Sequence, residues 1–412
     1  MQPAATQRGT WWSRPGLDVV DGRLAIAGRD AEDLALEHGT PLFVYDLERS
    51  REQAEGLRDA FDASGVTGTV RYALKAQREA GFLRYLRDRA PFVGIDVCSP
   101  GELEWALEHG WSPDEVSYTG TNLSDRDLAR ILPTGCHLNV DLLSQVDRVG
   151  RTAPGRTIGL RVNPRAGATH AGGNESAYAG AKPTKFGIYP ERLIEAVEIA
   201  RRHDLVIDTV HVHSGYLYFD DSLDVVDEVM RRVAEATALL LDAGCPIVEV
   251  NTGGGLGVPF RPADEPLDLG AWAAIMARHF GPLGVRVATE PGEFIAKQMG
   301  VHLAEVVTVE DREGRTFAGL DTGWNVLCEH FVYRIPFFPI LCRAAGAQPT
   351  REVTFSGHIN EGPDLFAEDH PFPEVREGDI VALPNVGSYN ASMTSLHCMR
   401  EPASSVLLED RA

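Results

Sequence analysis

Between about residues 65 and 295, short apolar segments alternate with longer segments in which apolar residues recur at helical spacing. Eight apolar segments have the length of a buried strand: VRYALK (70–75), VGIDV (93–97), VSYTG (116–120), LNVD (138–141), GLRVNP (159–164), TVHVHSG (209–215), VEVNTGGG (248–255) and RVATEPG (286–292). The segments between them carry acidic residues near their start, as helices do. Because alternating strands and helices pair through right-handed crossovers, the pattern predicts an α/β fold, a (β/α)₈ barrel over residues 36–295.

The hydrophobic pattern changes after about residue 296. Segments such as EVTFSG, GDIVALPNVGSY and SSVLLED are typical of strands separated by turns. Near the N-terminus, LDVVDGRLAIAGRD places Asp-Gly where a hairpin turns. We therefore predict a second, mostly antiparallel β domain, built from residues 1–35 and 296–412.

Polar residues and glycines occupy the predicted C-terminal strand ends, where barrel enzymes carry their functional groups. They are Lys75, Asp96, Arg161, Asn163, His211, His213, Ser214, Gly253, Gly254, Gly255 and Glu290. Taken alone, each has an ordinary structural explanation. A lysine can extend into solvent, glycines form turns, a core histidine can have its hydrogen bonds satisfied, and a glutamate can cap a loop. Together they provide what pyridoxal 5′-phosphate requires: an amine, a phosphate-binding loop, a stacking ring and a carboxylate for the ring nitrogen.

The four roles suggest particular residues. Lys75 is the candidate amine, and we expect a partly desolvated site that lowers the pKa of its ammonium group. His211 is the candidate stacking ring, and Glu290 is the candidate carboxylate. Ser214 adds a hydroxyl donor to the phosphate loop.

These segments, taken in order, resemble the fold-type III pyridoxal-phosphate decarboxylases, the diaminopimelate and ornithine decarboxylase group, which shares its barrel with alanine racemase. YALKAQ is similar to the cofactor-lysine motif, and GIDVCSPGELEWAL, LRVNP, TKFGI, HVHSG, GGGLG, EPG and GSYNASM match further motifs over nearly the whole chain. The resemblance implies pyridoxal 5′-phosphate as cofactor. The implied cofactor-binding residues are Lys75, Asp96, Arg161, His211, Ser214, Gly253, Gly254, Gly255, Glu290 and Tyr389, the last as a phosphate contact.

The resemblance also implies a head-to-tail homodimer, in which residues near 360 complete the partner's active site. The implied catalytic residues are Lys75, His211, Glu290, Asn360 and Glu361. The candidate substrate-binding residues are Glu293, Glu329, Tyr333, His358, Glu361 and Asp364. No metal is expected.

Three positions depart from the family pattern. Asn360 replaces a cysteine that returns a proton to Cα, and an amide cannot act as that acid. Either His358, His213, Lys75 or water donates the proton, or the reaction takes another course. Glu293 and Glu329 replace arginines, so both sites reverse their charge.

The charge reversals bear on the substrate. Carboxylates in a partly buried site attract a cation and repel an anion. We therefore predict a substrate whose distal end is cationic or uncharged, and not standard diaminopimelate. The alternative is that Glu293 and Glu329 face solvent or pair with arginines such as Arg334.

Our main hypothesis is decarboxylation of an amino acid or of an amino-acid-derived intermediate in specialised metabolism, such as natural-product or siderophore biosynthesis. A second hypothesis keeps the cofactor but makes the chain a racemase, an epimerase or a carbon–carbon bond-forming enzyme. A third is a non-catalytic pyridoxal-phosphate carrier. The retained Glu290, Glu361, Asp364 and Tyr389 weigh against the third.

Composition narrows the classes further. The net charge of −21 disfavours nucleic acid and anionic membranes as partners. No apolar run reaches the roughly 20 residues that cross a bilayer, and the N-terminus lacks the apolar core of a signal peptide. Six scattered cysteines without CxxC spacing favour the reducing cytoplasm over a zinc site or a disulfide framework.

Overall fold

The computed structural model describes residues 11–169, 178–180 and 182–411. The remaining residues of the two predicted domains lie outside the described part of the chain. The chain folds into two compact units, a β unit and a barrel unit. The β unit comprises Met1–Arg51, Pro259–Asp264 and Ile295–Ala412, and the barrel unit comprises Glu52–Val258 and Glu265–Phe294.

Strands and helices alternate through the barrel unit, and strands dominate the β unit. Along the described ranges the strands are β1 (Leu17–Val20), β2 (Arg23–Ile26), β3 (Arg29–Asp30), β4 (Leu42–Asp46), β5 (Gly68–Ala73), β6 (Val93–Val97), β7 (Val116–Thr119), β8 (His137–Val140), β9 (Thr157–Arg161), β10 (Ala168–Thr169), β11 (Val206–His211), β12 (Gly215–Tyr216), β13 (Glu249–Asn251), β14 (Arg286–Thr289), β15 (Gly300–Arg312), β16 (Arg315–Leu320), β17 (Ile340–Leu341), β18 (Arg351–Ser356), β19 (Leu365–Phe372), β20 (Ile380–Pro384) and β21 (Ser404–Leu408). The α-helices are α1 (Ala31–His38), α2 (Leu47–Ser64), α3 (Ala80–Arg89), α4 (Pro100–Glu108), α5 (Asp125–Ile131), α6 (Leu143–Thr152), α7 (Leu193–Arg202), α8 (Leu223–Asp242), α9 (Leu269–Phe280), α10 (Gly292–Ala296) and α11 (Cys328–Tyr333).

Eight parallel strands close into a barrel in the order β5, β6, β7, β8, β9, β11, β13 and β14. This confirms the predicted (β/α)₈ architecture. Most positions of these strands are buried because a parallel barrel covers both faces of its sheet. Each strand contributes at least one fully buried side chain: Tyr72, Ile95, Tyr118, Leu138, Leu160, Val210, Val250 and Val287.

Local hydrogen bonds determine where the outer helices begin. The hydroxyl of Ser99 accepts the N–H of Glu102 at the start of α4, while the Glu102 carboxylate accepts the N–H of Cys98 at 2.8 Å. Ser124 and Asp127 form a capping box at the start of α5. Such caps satisfy backbone donors that lack partners within the first turn of a helix.

Several strands end earlier than the sequence pattern suggested. β5 stops at Ala73, so Lys75 lies in a 3₁₀ turn, Leu74–Ala76. β11 stops at His211, so Ser214 belongs to the following loop. Loops rather than strands therefore carry much of the chemistry at this end of the barrel.

The β unit contains two sheets. A hairpin joins β1 to β2, and its turn has positive φ at Asp21 (50°) and Gly22 (81°), as a type I′ turn requires. The larger sheet has the order β17-β20-β15-β16-β18-β19, with β4 pairing to β15 and β21 to β4. Most pairs are antiparallel, as expected, but β16–β18 and β4–β21 are parallel.

The division between the units differs from the sequence expectation in two places. Residues 36–51, which the pattern assigned to the barrel, lie in the β unit because β4 hydrogen-bonds to β15 and β21. Pro259–Asp264, also within the predicted barrel range, belongs to the β unit as well. Among the described residues, no helix has the length and apolarity needed to span a membrane, and no cluster of three potential metal ligands occurs.

Candidate active site

Lys75 lies directly after the first barrel strand. Its neighbours Leu74 and Ala76 are buried, and Lys75 itself is exposed in the single chain. The side chain of Gln77 accepts the N–H groups of Arg78 (2.9 Å) and Glu79 (3.2 Å). Gln77 therefore anchors the turn that presents Lys75 just before α3.

The chain contains four lysines: Lys75, Lys182, Lys185 and Lys297. Lys297 is fully buried in an ion pair with Glu329, and the ammonium group of Lys185 lies 4.9 Å from the ring centroid of Phe186. Lys75 is thus the lysine that follows directly on a barrel strand, where catalytic groups of this fold lie.

Glu290 follows β14 and is buried, with partners on both oxygens. Its Oε2 lies 3.1 Å from His211 Nε2, and its Oε1 accepts a hydrogen bond from Asn251 Nδ2 at 2.6 Å. Burial alone would raise the pKa of Glu290, but His211, Asn251 and the charge of Arg71 outweigh it and lower the pKa to about 2. The carboxylate therefore stays ionised at neutral pH.

Asn251 was not identified from the sequence. Besides donating to Glu290, it accepts the backbone N–H of Gly253 through Oδ1 at 3.0 Å. Asn251 thus connects the ionised carboxylate to the glycine loop. Its position directly before TGGGLG, at the end of β13, was the available signal.

His211 is neutral because burial lowers the pKa of its imidazole, although the neighbouring Glu290 carboxylate acts in the opposite direction. Nδ1 of His211 is buried without a hydrogen-bond partner among the described residues. A buried polar atom of this kind is normally satisfied by a ligand or water.

Asp96 differs from Glu290, although both are buried carboxyl groups. Burial, followed by the charge of Glu290, raises the pKa of Asp96 well above its usual range. The Oδ1 atom of Asp96 is buried and has no hydrogen-bond partner within the described ranges. The surroundings therefore shift the pKa values of the two carboxyl groups in opposite directions.

The glycine loop after β13 has a backbone that only glycine adopts easily. φ is +68° at Gly253 and +106° at Gly255. A Cβ atom at Gly254 would lie 2.5 Å from the carbonyl oxygen of Glu290. The N–H of Gly253 already donates to Asn251, and the absence of side chains at Gly254 and Gly255 lets an anion approach their backbone closely.

Two further predicted groups lie at the ends of neighbouring strands. The hydroxyl of Ser214 lies 2.9 Å from the hydroxyl of Tyr218. Arg161, at the end of β9, is buried with its guanidinium 4.3 Å from the ring centroid of Phe186. Burial lowers the pKa of Arg161.

The predicted substrate contact Glu293 lies in the first turn of α10, and its side chain is half-buried.

The barrel unit therefore fits pyridoxal 5′-phosphate. It offers an amine, an ionised carboxylate beside a neutral imidazole, a hydroxyl and a glycine loop that a Cβ would obstruct. These are the groups that bind the aldehyde, the ring nitrogen and the phosphate of this cofactor.

Glu329, in the β unit, has different partners from those predicted. Its carboxylate forms a buried ion pair with Lys297 and accepts a hydrogen bond from Asn390 Nδ2 at 3.3 Å. Its charge is balanced inside the unit, because both side chains of the ion pair are only 1% exposed. The ion pair with Lys297 was not predicted from the sequence, and the contact of Glu329 with substrate stays a prediction.

Tyr389 and Tyr333 lie near each other in the β unit. Their ring centroids are 6.1 Å apart at an interplanar angle of 66°. Tyr389 has a left-handed backbone, with φ of 55°. For a bulky residue this conformation is strained and marks a position held by its surroundings.

The segment around residue 360 forms a loop held by Asp364. The Asp364 carboxylate accepts the N–H groups of Trp324 (2.8 Å) and Ile359 (2.7 Å), so it fixes the shape of the loop, and its contact with substrate stays a prediction. Asn360 and Glu361 are exposed, and Glu361 Oε1 lies 3.3 Å from His397 Nε2. His358 is half-buried, and burial lowers its pKa.

Comparison with known proteins agrees with this geometry. The family model for the pyridoxal binding domain of pyridoxal-dependent decarboxylases matches residues 47–297. The diaminopimelate decarboxylase of Methanothermobacter thermautotrophicus is 33% identical over 410 residues, covering 96% of this chain and 93% of that protein. The corresponding enzyme of Streptomyces coelicolor is 32% identical, covering 96% and 89%.

Solved structures show the same fold. The diaminopimelate decarboxylase of Helicobacter pylori, crystallised with L-lysine, has a TM-score of 0.84 and 25% identity, covering 92% of this chain and 94% of that one. A lysine/ornithine decarboxylase from Vibrio vulnificus, with a TM-score of 0.79 and 21% identity, shares the fold. The chain belongs to the pyridoxal-dependent decarboxylase family of fold type III, and it is a carboxy-lyase that uses pyridoxal 5′-phosphate.

Proposed function

We propose that this enzyme removes the α-carboxyl group of an amino acid, or of an intermediate derived from one, whose distal end is uncharged or cationic. The observation that carries this proposal is Glu293, a half-buried carboxylate three residues after Glu290. A carboxylate at that place repels a second carboxylate, such as the one at the far end of diaminopimelate. A role in specialised biosynthesis is consistent with that departure.

The residues of the barrel unit perform separate tasks. Pyridoxal 5′-phosphate, when bound, supplies a charged ring that accepts electrons from the bond that breaks. Lys75 binds the cofactor aldehyde, and Glu290, ionised at neutral pH, keeps a proton on the ring nitrogen. His211 stacks on the ring as a neutral imidazole. Ser214 and the glycine loop hold the phosphate, and Asp96 and Arg161 line the same end of the barrel.

Replacing Glu290 by glutamine is expected to lower kcat by about 10²-fold or more, a typical cost of removing one electrostatic contact to the reacting system. Because the pKa of Glu290 is about 2, its carboxylate stays ionised from about pH 5 to about pH 8. Wild-type activity should therefore not fall through protonation of Glu290 over that range. Steady-state kinetics across this pH range measures both the kcat of the Glu290→Gln variant and the pH dependence of wild-type activity. Glu198→Gln, on the exposed face of α7, is the control. A Glu290→Gln enzyme with wild-type kcat contradicts the role.

Racemisation or epimerisation is a second reaction that this carboxy-lyase could catalyse, and Asn360 motivates it. An amide at this exposed position of the loop cannot return a proton to Cα, which is the step that completes decarboxylation in the family pattern. His358, His213, Lys75 or water would then donate the proton in the decarboxylase. Release of carbon dioxide distinguishes the two activities, since a racemase exchanges the Cα proton and releases none.

The homodimer implied by the family also belongs to this proposal. In the β unit, Trp324 stacks on Phe331 with centroids 5.0 Å apart and on His397 at 5.1 Å. Nearby in sequence, Leu396 and Met399 are 74% and 93% exposed. Large apolar side chains grouped at the surface favour a protein–protein interface.

The cysteines of the described ranges form no disulfide, which suits the proposed cytoplasmic location.

The test is a screen of amino acids by carbon dioxide release and mass spectrometry, with Glu293→Arg beside the wild type. We expect Glu293→Arg to raise kcat/KM for diaminopimelate, relative to the preferred substrate, by about tenfold or more. Glu198→Arg makes the same charge change on the exposed face of α7 and should leave that ratio unaltered. If the wild type already prefers diaminopimelate, the proposed substrate class is wrong.

A further inference from the structure

Tyr218 lies four residues after Ser214, in the segment that follows β11, and it is only 2% exposed. Its hydroxyl lies 2.9 Å from Ser214 Oγ. Its ring covers Gly255, because a Cβ atom there would lie 2.6 Å from Tyr218 Cε2. One buried side chain therefore contacts both the serine and the glycine loop.

The backbone of Tyr218 makes a second connection to the glycine loop. Its N–H donates to the carbonyl oxygen of Gly255 at 2.8 Å, and its own carbonyl oxygen accepts the N–H of Gly257 at 2.9 Å. These bonds form a parallel bridge between Tyr218 and Leu256. The segments after β11 and β13, which are distant in sequence, are thus joined at this residue.

The hydroxyl contact has a chemical consequence for an anion at Ser214. A serine hydroxyl has one proton and rotates freely unless a partner orients it. When Tyr218 donates to Ser214 Oγ, the serine proton points away from the tyrosine and is available to an anion. Hydrogen bonds arranged in such a chain strengthen one another. Burial raises the pKa of Tyr218, which keeps its hydroxyl protonated and able to donate.

We propose that Tyr218 is a positioning residue for the cofactor phosphate, acting through the hydroxyl of Ser214 and the backbone of the glycine loop. The inference rests on the proposed function, in which these two features hold the phosphate. No motif pointed to Tyr218 in the sequence. The only signal was a tyrosine four residues after the candidate serine.

The experiment compares two ligands in a double-mutant cycle. Dissociation constants for pyridoxal 5′-phosphate, and for pyridoxal, which lacks the phosphate, are measured in wild type, Tyr218→Phe, Ser214→Ala and the double variant. We expect Tyr218→Phe to weaken pyridoxal 5′-phosphate binding about tenfold, as the loss of a hydrogen bond linked to a charged group does. Binding of pyridoxal should not change, and Tyr218→Phe should add no further loss in the Ser214→Ala background.

Tyr189→Phe is the matched control, because the Tyr189 hydroxyl has no hydrogen-bond partner within the described ranges. It should bind both ligands as the wild type does. If Tyr218→Phe fails to fold, a ring-fluorinated tyrosine at position 218 keeps the side chain and makes its hydroxyl a stronger donor. That protein should bind pyridoxal 5′-phosphate more tightly and pyridoxal unchanged.

The possible failures are distinguishable. Equal losses for both ligands in Tyr218→Phe would show a general structural role and overturn the inference. If Ser214→Ala weakens binding of pyridoxal 5′-phosphate and Tyr218→Phe does not, the inference about Tyr218 is overturned, while the proposed phosphate role of Ser214 stands. Unchanged phosphate-dependent binding in Ser214→Ala would overturn the proposed phosphate role of Ser214, and the inference with it.

Discussion

Replacing Lys297 by methionine is expected to lower the free energy of unfolding by about 3–5 kcal/mol. The substitution leaves the Glu329 carboxylate, which is 1% exposed, without the ammonium group that balances its charge. The hydrogen bond from Asn390, at 3.3 Å, does not replace a full positive charge. Chemical denaturation of the purified protein, followed by circular dichroism, measures the change.

A paired variant makes this prediction specific. Lys297→Met combined with Glu329→Gln removes both charges and should recover most of the lost stability, because a buried ion pair and a neutral pair of similar shape differ little. Lys185→Met removes the charge of an exposed lysine and should change stability by less than about 0.5 kcal/mol. If Lys297→Met is no more costly than Lys185→Met, then Glu329 is not buried beside Lys297.

Replacing Lys75 by alanine is expected to abolish turnover, with a loss of roughly 10⁴-fold or more in kcat, the scale seen when an enzyme loses its covalent catalytic group. Since Lys75 is exposed in the single chain, the fold should remain intact. Steady-state kinetics and a thermal unfolding curve check the two parts of this expectation separately.

Lys182→Ala serves as the control for Lys75→Ala, because Lys182 is also exposed. This variant should keep wild-type turnover. Substantial activity in Lys75→Ala, with cofactor still attached to the protein, would place the attachment point on another lysine.

The barrel was predictable because its physical cause is local. Each strand is buried on both faces, so each appears as a short apolar run, and helices carry caps such as Ser99 and Ser124. The sequence placed the C-terminal ends of the strands less accurately, because the apolar pattern continues beyond the last residue that pairs with a neighbouring strand. For this reason Lys75 lies in a turn rather than on a strand.

Part of the site followed from the rule that barrel enzymes place their chemistry at the ends of strands. Glu290 and His211 satisfy that rule and lie 3.1 Å apart, between Oε2 and Nε2. Asn251 and Tyr218 were missed because their importance depends on contacts between neighbouring strands and loops of the barrel, which a single sequence does not display. Asp96 and Glu290 also look alike in sequence, and only their surroundings separate their pKa values.

The ion pair of Glu329 was missed for a similar reason. The sequence shows a charge reversal at this position, but it does not show that Lys297 lies beside it in the folded β unit. The same limit applies to Asp364, whose two backbone hydrogen bonds hold its own loop. Both carboxylates thus have partners that the sequence does not display, and Glu293 is the carboxylate that carries the proposal about the substrate.

The most direct test of the central claim is to identify the lysine that binds the cofactor. The holoenzyme is treated with borohydride, which fixes the bound cofactor to its lysine, and the modified peptide is sequenced by mass spectrometry. With four lysines in the chain, the result is unambiguous. We expect modification of Lys75. Modification of Lys182, Lys185 or Lys297 instead, or of no lysine, would contradict it.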